Sequence, residues 1–151
     1  MSMDQRPTGL PIGMQLDQVA RAASRAFDDA LAAEGGSRPV WLIMISLKRN
    51  PHANQREIAG NLGLQGATVT HHLNAMEADG LLTRERDTAN RRAHVITLTD
   101  EGNAVFHRLA KAAMAFDTKL RAGISADEIA TLADLLTRLG TNVARDQSVE
   151  T

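Results

Sequence analysis

Asn54-Gln-Arg-Glu-Ile-Ala-Gly-Asn-Leu-Gly-Leu-Gln-Gly-Ala-Thr-Val-Thr-His-His-Leu-Asn-Ala-Met-Glu-Ala-Asp-Gly80 runs directly into Leu81-Leu-Thr-Arg-Glu-Arg-Asp-Thr-Ala-Asn-Arg-Arg-Ala-His-Val-Ile-Thr-Leu-Thr-Asp-Glu-Gly102. Asn54 followed by Glu57 is a near capping box, which starts a short helix burying Ile58 and Leu62. Gly63 supplies a tight turn. A second helix is predicted over 66–79, with Val69, Leu73 and Met76 inward and Gly80 as its C-terminal stop. Leu81–Arg86 and Ala93–Leu98 then read as two strands, joined by Asp87-Thr-Ala-Asn90 and the pair Arg91-Arg92. Thr99 caps the next helix, whose first turn holds Asp100 and Glu101 at the positive end of its dipole.

Helix, turn, helix and arginine-tipped hairpin, in that order, make a winged helix-turn-helix. Such a unit places its second helix in the DNA major groove and its hairpin on the flanking minor groove. Residues 38–99 are the expected DNA-binding unit, and the helices on either side extend it. Leu16, Val19, Ala23, Phe27 and Leu31 give a first helix over about 13–33, closed by Gly35-Gly36. Ser37 and Pro39 open a second, from Val40 to about Lys48, that is apolar nearly all round and expected to be buried between neighbours. After the hairpin, a long helix over about 100–121 carries Val105, Leu109, Ala113, Phe116 and Leu120 in one stripe. Ser125-Ala-Asp-Glu128 is a full capping box for a last helix, whose Ile129, Leu132, Leu136, Leu139 and Val143 form a narrow seam that asks for a partner helix. The fold class is therefore mainly α, with one hairpin. One domain over 1–151 is expected, with 12–36 and 100–146 as helical dimerisation material.

Composition bounds the alternatives. Aromatic residues are only 3% of the 151, so the core is aliphatic and rich in alanine, which suits packed helices. No run of apolar residues is long enough to span a membrane, residues 1–11 lack a signal-peptide core, and there is no cysteine, so a cytoplasmic protein without disulfides or thiol-bound metal is expected. The net charge is −1, yet residues 48–92 carry +2 and the remainder −3. That asymmetry is compatible with a nucleic-acid partner without demanding one. There is no phosphate-binding glycine loop, no zinc-protease helix and no nucleophile elbow, so no enzyme is expected and no cofactor is implied. His71 and His72 point about 100° apart on a helix and do not chelate one ion together, so no metal site is assigned.

The candidate DNA-reading face begins with Gln65, Ala67, Thr68, Thr70, His71 and His72, near the helix N-terminus where base edges are met. Arg84, Arg86, Asn90, Arg91 and Arg92 supply the hairpin side of the contact. At this point two functions stay open: a sequence-specific DNA binder, and a winged-helix module that binds protein and not DNA.

Residues 54–102 resemble the DNA-binding core of the MarR family (multiple antibiotic resistance regulators). The matching pieces are Ile58-Ala59, Leu62-Gly63-Leu64, Thr68-Val69-Thr70, Leu73, Met76-Glu77, Gly80-Leu81-Leu82, Arg84, Asp87, Asn90-Arg91-Arg92 and Leu98-Thr99-Asp100-Glu101-Gly102. The resemblance implies a homodimeric transcription regulator, most often a ligand-released repressor, on a palindromic double-stranded DNA operator. It implies Arg92 in the minor groove, with Arg91 on phosphate or within the protein. Asn90 stands where the family often has aspartate, and an amide holds an arginine less firmly than a carboxylate does. His71 stands where the family often has arginine. A small aromatic or anionic effector is also implied, between dimer helices and winged unit. Phe27, Trp41, Met44, Met114 and Phe116 are the residues expected to line its space, and Arg21 or Arg25 to meet an anion.

Overall fold

The structure, a computed structural model, describes residues 9–86, 88–89 and 94–147, without side chains at 145–147. The elements are α1 (Ile12–Ala33), α2 (Arg38–Arg49), α3 (Gln55–Leu62), α4 (Gly66–Ala78), β1 (Leu82–Arg86), β2 (His94–Leu98), α5 (Asp100–Leu120) and α6 (Ala126–Gln147). The two strands form one antiparallel sheet, registered from Leu82 opposite Leu98 to Arg86 opposite His94. Two compact units divide the chain, with the boundary inside α5 between Phe116 and Asp117.

Local chemistry sets the helix ends. Ser37 Oγ accepts from the Val40 N–H, and Pro39 lies in the first turn of α2 where a missing N–H costs nothing. Asn54 Oδ1 accepts from the Glu57 N–H at 2.9 Å, the forward half of a capping box. The return half differs from the usual pattern: the Glu57 carboxylate takes the side-chain amides of Asn54 and Asn50. Gly63, at φ +63°, ends α3 in the left-handed region that a residue with a Cβ rarely enters.

The first unit is built on α2, which contributes Ile43, Met44 and Leu47 to the core. Leu31 of α1, Ala53, Ile58 of α3, Val69, Leu73 and Met76 of α4, Leu82 and Ile96 of the hairpin, and Val105 and Leu109 of α5 complete it among the described residues. Burying each of these side chains other than Ala53 contributes about 1.5–3 kcal/mol. The opposite side of α2 is less covered than its apolar sequence suggests, for Leu42 and Ile45 stay half-buried. Ser46 is the one polar residue in this core among the described residues, and its Oγ has no hydrogen-bond partner there. Leaving a buried hydroxyl unpaired costs about 1–3 kcal/mol.

Hairpin, α4 and α5 are joined at one knot. Thr99 Oγ1 donates to the Gly80 carbonyl at 2.6 Å and accepts from the Gly102 N–H at 3.0 Å. The Thr99 N–H donates to the Leu81 carbonyl, and the Leu81 N–H to the Met76 carbonyl. Gly102 lies so close that a Cβ there would sit 1.9 Å from the Leu81 carbonyl oxygen.

The second unit is the end of α5 and α6. Ser125 and Glu128 make both halves of their capping box, at 3.1 Å each. The Ser125 N–H, and then its hydroxyl, hold the Glu128 carboxyl below the usual carboxylate range. No described side chain of α6 is buried. Leu132, Leu136 and Val143 of its seam are 46%, 42% and 62% exposed. In the first unit, the N-terminal half of α1 is bare too, with Ile12 at 65% and Val19 at 57%.

Two glycine substitutions separate rigid from yielding contacts. Gly102→Ala meets backbone and is expected to cost about 3 kcal/mol, read as a large fall in Tm by circular dichroism. Gly36→Ala meets the Cδ and Cγ atoms of the buried Leu109 side chain and not backbone, so its Tm is expected to fall less. Equal falls would show that Leu81 yields as readily as Leu109.

Candidate nucleic-acid interface

The outer face of α4 is built of small and polar residues because every bulky apolar one on this helix turns inward. Gln65, Ala67, Thr68 and His71 are exposed, and His72 is half-buried. Gln65 occupies the N-cap position without a side-chain hydrogen bond to the first turn. The opening N–H groups of α4 therefore face outward unshielded by a cap, with the positive end of the helix dipole behind them. The rings of His71 and His72 meet edge to face, with centroids 5.4 Å apart. Among the described residues no group of three or more His, Cys, Asp or Glu is placed to hold a metal ion.

Thr70 is differently occupied. Its hydroxyl donates to the Gly66 carbonyl at 2.9 Å and accepts from the side-chain amide of Gln55. That second bond ties the first residue of α3 to the middle of the α4 N-terminal half. Thr68, by contrast, is exposed and has a free hydroxyl among the described contacts.

Arg84 is expected from sequence to face DNA, and the structure places it against the protein. Its Nε and Nη2 donate to the two Glu77 carboxylate oxygens, each at 3.1 Å, and Nη2 also donates to Asn74 Oδ1 at 2.6 Å. The guanidinium thus bridges β1 to the last two turns of α4 in a two-pronged pairing whose plane fixes its direction. Glu77 responds: the hydrogen bond from Arg84 lowers its pKa, partial desolvation opposes this, and the charge of Arg84 adds to the lowering. Arg86, one step along the same strand face, is exposed and sits opposite His94. Asn90, Arg91 and Arg92 lie outside the described residues.

Gln55, Asn74 and Glu77 are residues that local sequence patterns do not single out. Each acts on a residue in another element, and helix periodicity carries no sign of that. A weak signal exists for Glu77 alone, as an acid seven residues before an arginine and across a glycine stop.

The residues expected around an effector differ in their exposure and in what they touch. Met44 is wholly buried in the core, and Met114 is 72% exposed. Trp41 stacks on Phe106 with centroids 5.4 Å apart, and Phe27 meets Phe116 at 5.2 Å. Arg21 is paired with Asp17 on the surface of α1, and Arg25 is exposed.

Comparison with known proteins follows the same geometry. The family model described as MarR family matches residues 37–94. The HTH-type transcriptional regulator YdgJ of Bacillus subtilis (strain 168) is 29% identical over 129 residues, covering 85% of this chain and 77% of that protein. Among solved structures, the transcriptional repressor CouR bound to a 23-mer DNA duplex superposes with a TM-score of 0.77 at 27% identity, over 86% of this chain and 92% of that one. The PcaV transcriptional regulator of Streptomyces coelicolor, in complex with its natural ligand, superposes with a TM-score of 0.73 at 25% identity, over 89% and 98%. The stretch that matches the MarR family model, residues 37–94, holds the turn glycines, the recognition-type helix α4 and the first strand of the hairpin.

Proposed function

We propose that this protein is a sequence-specific double-stranded DNA-binding transcription regulator, acting as a homodimeric repressor on a palindromic operator. The observation that carries the reading is the uncapped, small-residue N-terminal face of α4, followed by two paired strands between which the sequence carries Arg91 and Arg92. The DNA-bound CouR relative supports it. Gln65, Ala67, Thr68 and His71 meet base edges, Thr70 offers its methyl while its hydroxyl stays internal, and His72 reaches phosphate. Arg86, Arg91 and Arg92, with Asn90, take the flanking backbone and minor groove, where a narrow groove favours an inserted guanidinium. No chemical step is assigned to any residue, and the site of work is the cytoplasm.

Residues 38–99 form the DNA-binding unit in this reading, and 12–36 with 100–146 form the dimer. The bare seam of α6 and the bare apolar face of α1 support that assignment, each lacking a cover of its own. Two recognition helices reach successive major grooves when they sit roughly 34 Å apart. A ligand that prefers another spacing releases the DNA, by no more than its differential affinity for the two states. The ligand-bound PcaV relative supports such control, with the Phe27, Trp41, Met44, Met114 and Phe116 region and Arg21 or Arg25 as its seat.

Selection from random duplexes is expected to enrich a palindrome. Absence of enrichment at low salt would favour the protein-binding module instead. Arg92→Ala is expected to weaken operator binding and to flatten the salt slope by about one unit per subunit. Arg84→Ala is expected to weaken binding with the slope unchanged, because its charge faces Glu77 and not phosphate. A lost unit of slope in that variant would return Arg84 to the DNA.

Leu136→Asp is expected to give monomers by light scattering, and a persistent dimer would remove α6 from the interface. Acid tests the Arg84 tie. Because the folded pKa of Glu77 is lowered, its contribution is present above the ordinary carboxylate range and is lost as pH falls through the lowered value. Glu77→Gln is therefore expected to show a shallower acid decline of Tm than the parent, and an identical decline would deny the tie any part in stability.

A further inference from the structure

One cleft of the first unit belongs neither to the DNA face nor to the expected effector region. It lies between α2 and α3, has a volume of about 420 Å³, and is lined by Leu42, Ile45, Ser46, Arg49, Asn50, Asn61 and Leu62. That size is within the range of small-molecule sites. Its composition is divided: Leu42, Ile45 and Leu62 are apolar and half-buried, while Arg49, Asn50 and Asn61 are polar and exposed at the rim. Ser46 belongs to its wall, is 6% exposed, and holds the buried hydroxyl without a hydrogen-bond partner among the described residues. Arg49 forms none of the ion pairs found among the described residues. No carboxylate lines the cleft, and Glu57, which accepts from Asn50 of its rim, is also engaged by the amide of Asn54.

We propose that this α2–α3 cleft binds a small monocarboxylate with an apolar tail. The Arg49 guanidinium takes the carboxylate in a two-pronged hydrogen bond, and the Asn61 amide donates from the α3 side. Rotation of Ser46 about its Cα–Cβ bond turns the buried hydroxyl toward the inner carboxylate oxygen, to which it donates and so gains the partner it lacks. The tail lies on Leu42, Ile45 and Leu62, the exposed side of a helix whose other side is core. Arginine fits the head group because its fork matches a carboxylate, and the aliphatic wall selects against a bare anion.

The position gives such a ligand a handle on the DNA-reading helix. The far end of α3 holds Gln55, whose amide grips Thr70 of α4. A guest wedged between α2 and α3 bears on the helix that steadies α4. This last consequence rests on the DNA-binding reading, whereas the binding itself does not.

Hexanoate is the probe, titrated into the full-length protein without DNA and followed by amide NMR. Saturating shifts confined to residues 45–50 and 61–62 are expected. Hexanamide, which keeps the tail and loses the charge, and the Arg49→Gln variant are each expected to bind at least tenfold more weakly. Inorganic phosphate at the same concentration is expected to leave these amides unmoved. Ser46→Ala is expected to weaken hexanoate while leaving Tm unchanged or raised, since it deletes an unpaired hydroxyl. An unshifted spectrum, shifts centred elsewhere, equal binding by Arg49→Gln with an otherwise unchanged spectrum, or the same shifts from phosphate would each overturn the site. A fall in Tm for Ser46→Ala would mean that the hydroxyl is bonded within the protein, and would overturn the role given to it. Because no DNA is present, failure here leaves the operator selection above untouched, and failure there leaves this titration standing.

Discussion

Everything in the winged unit hangs on the close approach of Gly102 to the Leu81 carbonyl. At that point the end of α4, the start of β1, the end of β2 and the first turn of α5 come within hydrogen-bonding reach of one another. Thr99 does two jobs with one hydroxyl, accepting as the cap of α5 and donating to the carbonyl of the glycine that ends α4. A Cβ on residue 102 would press against backbone, which cannot rotate away as a side chain does. Hairpin and recognition helix are thereby given a fixed relation before either meets a partner.

A second tie, from Arg84 to Glu77 and Asn74, makes that relation stiff along the length of α4. The knot secures the C-terminal end, Arg84 the last two turns, and Gln55 the N-terminal half through Thr70. A contact at a base edge needs placement finer than a loose helix gives, so side chains spent inside the protein serve the ones left outside. Arg84 illustrates the trade: an arginine in a basic motif is read most simply as a phosphate contact, and here its hydrogen-bonding geometry is taken up by its own fold.

Much of the architecture was legible because its signals are local. Asn54 with Glu57, Ser125 with Glu128, and glycines 63 and 80 mark helix ends by chemistry that operates within four residues. The inward positions of α4 follow from periodicity, and Val69, Leu73 and Met76 are all buried. What stayed hidden depends on tertiary proximity. Nothing in the spacing of Gly102 says that Leu81 will lie against it, and nothing around Gln55 says that Thr70 will receive its amide. The apolar sequence of α2 suggested burial on all sides, but α3 covers only part of the outer face, and Leu42 and Ile45 remain half-open beside Ser46. Of the expected DNA contacts, Asn90, Arg91 and Arg92 fall outside the described residues.

The two units draw their stability from different sources. The first has its own core, and no described side chain of α6 is buried at all. To its backbone hydrogen bonds and capping box α6 adds half-buried Ile129 and Leu139 and the exposed pair Arg138–Asp134, and so thinly packed a segment opens locally more easily than a core helix. With that seam bare, α6 is the place where a protease gains entry. Cleavage there follows the share of time the helix spends open, so whatever covers the seam also shields the chain.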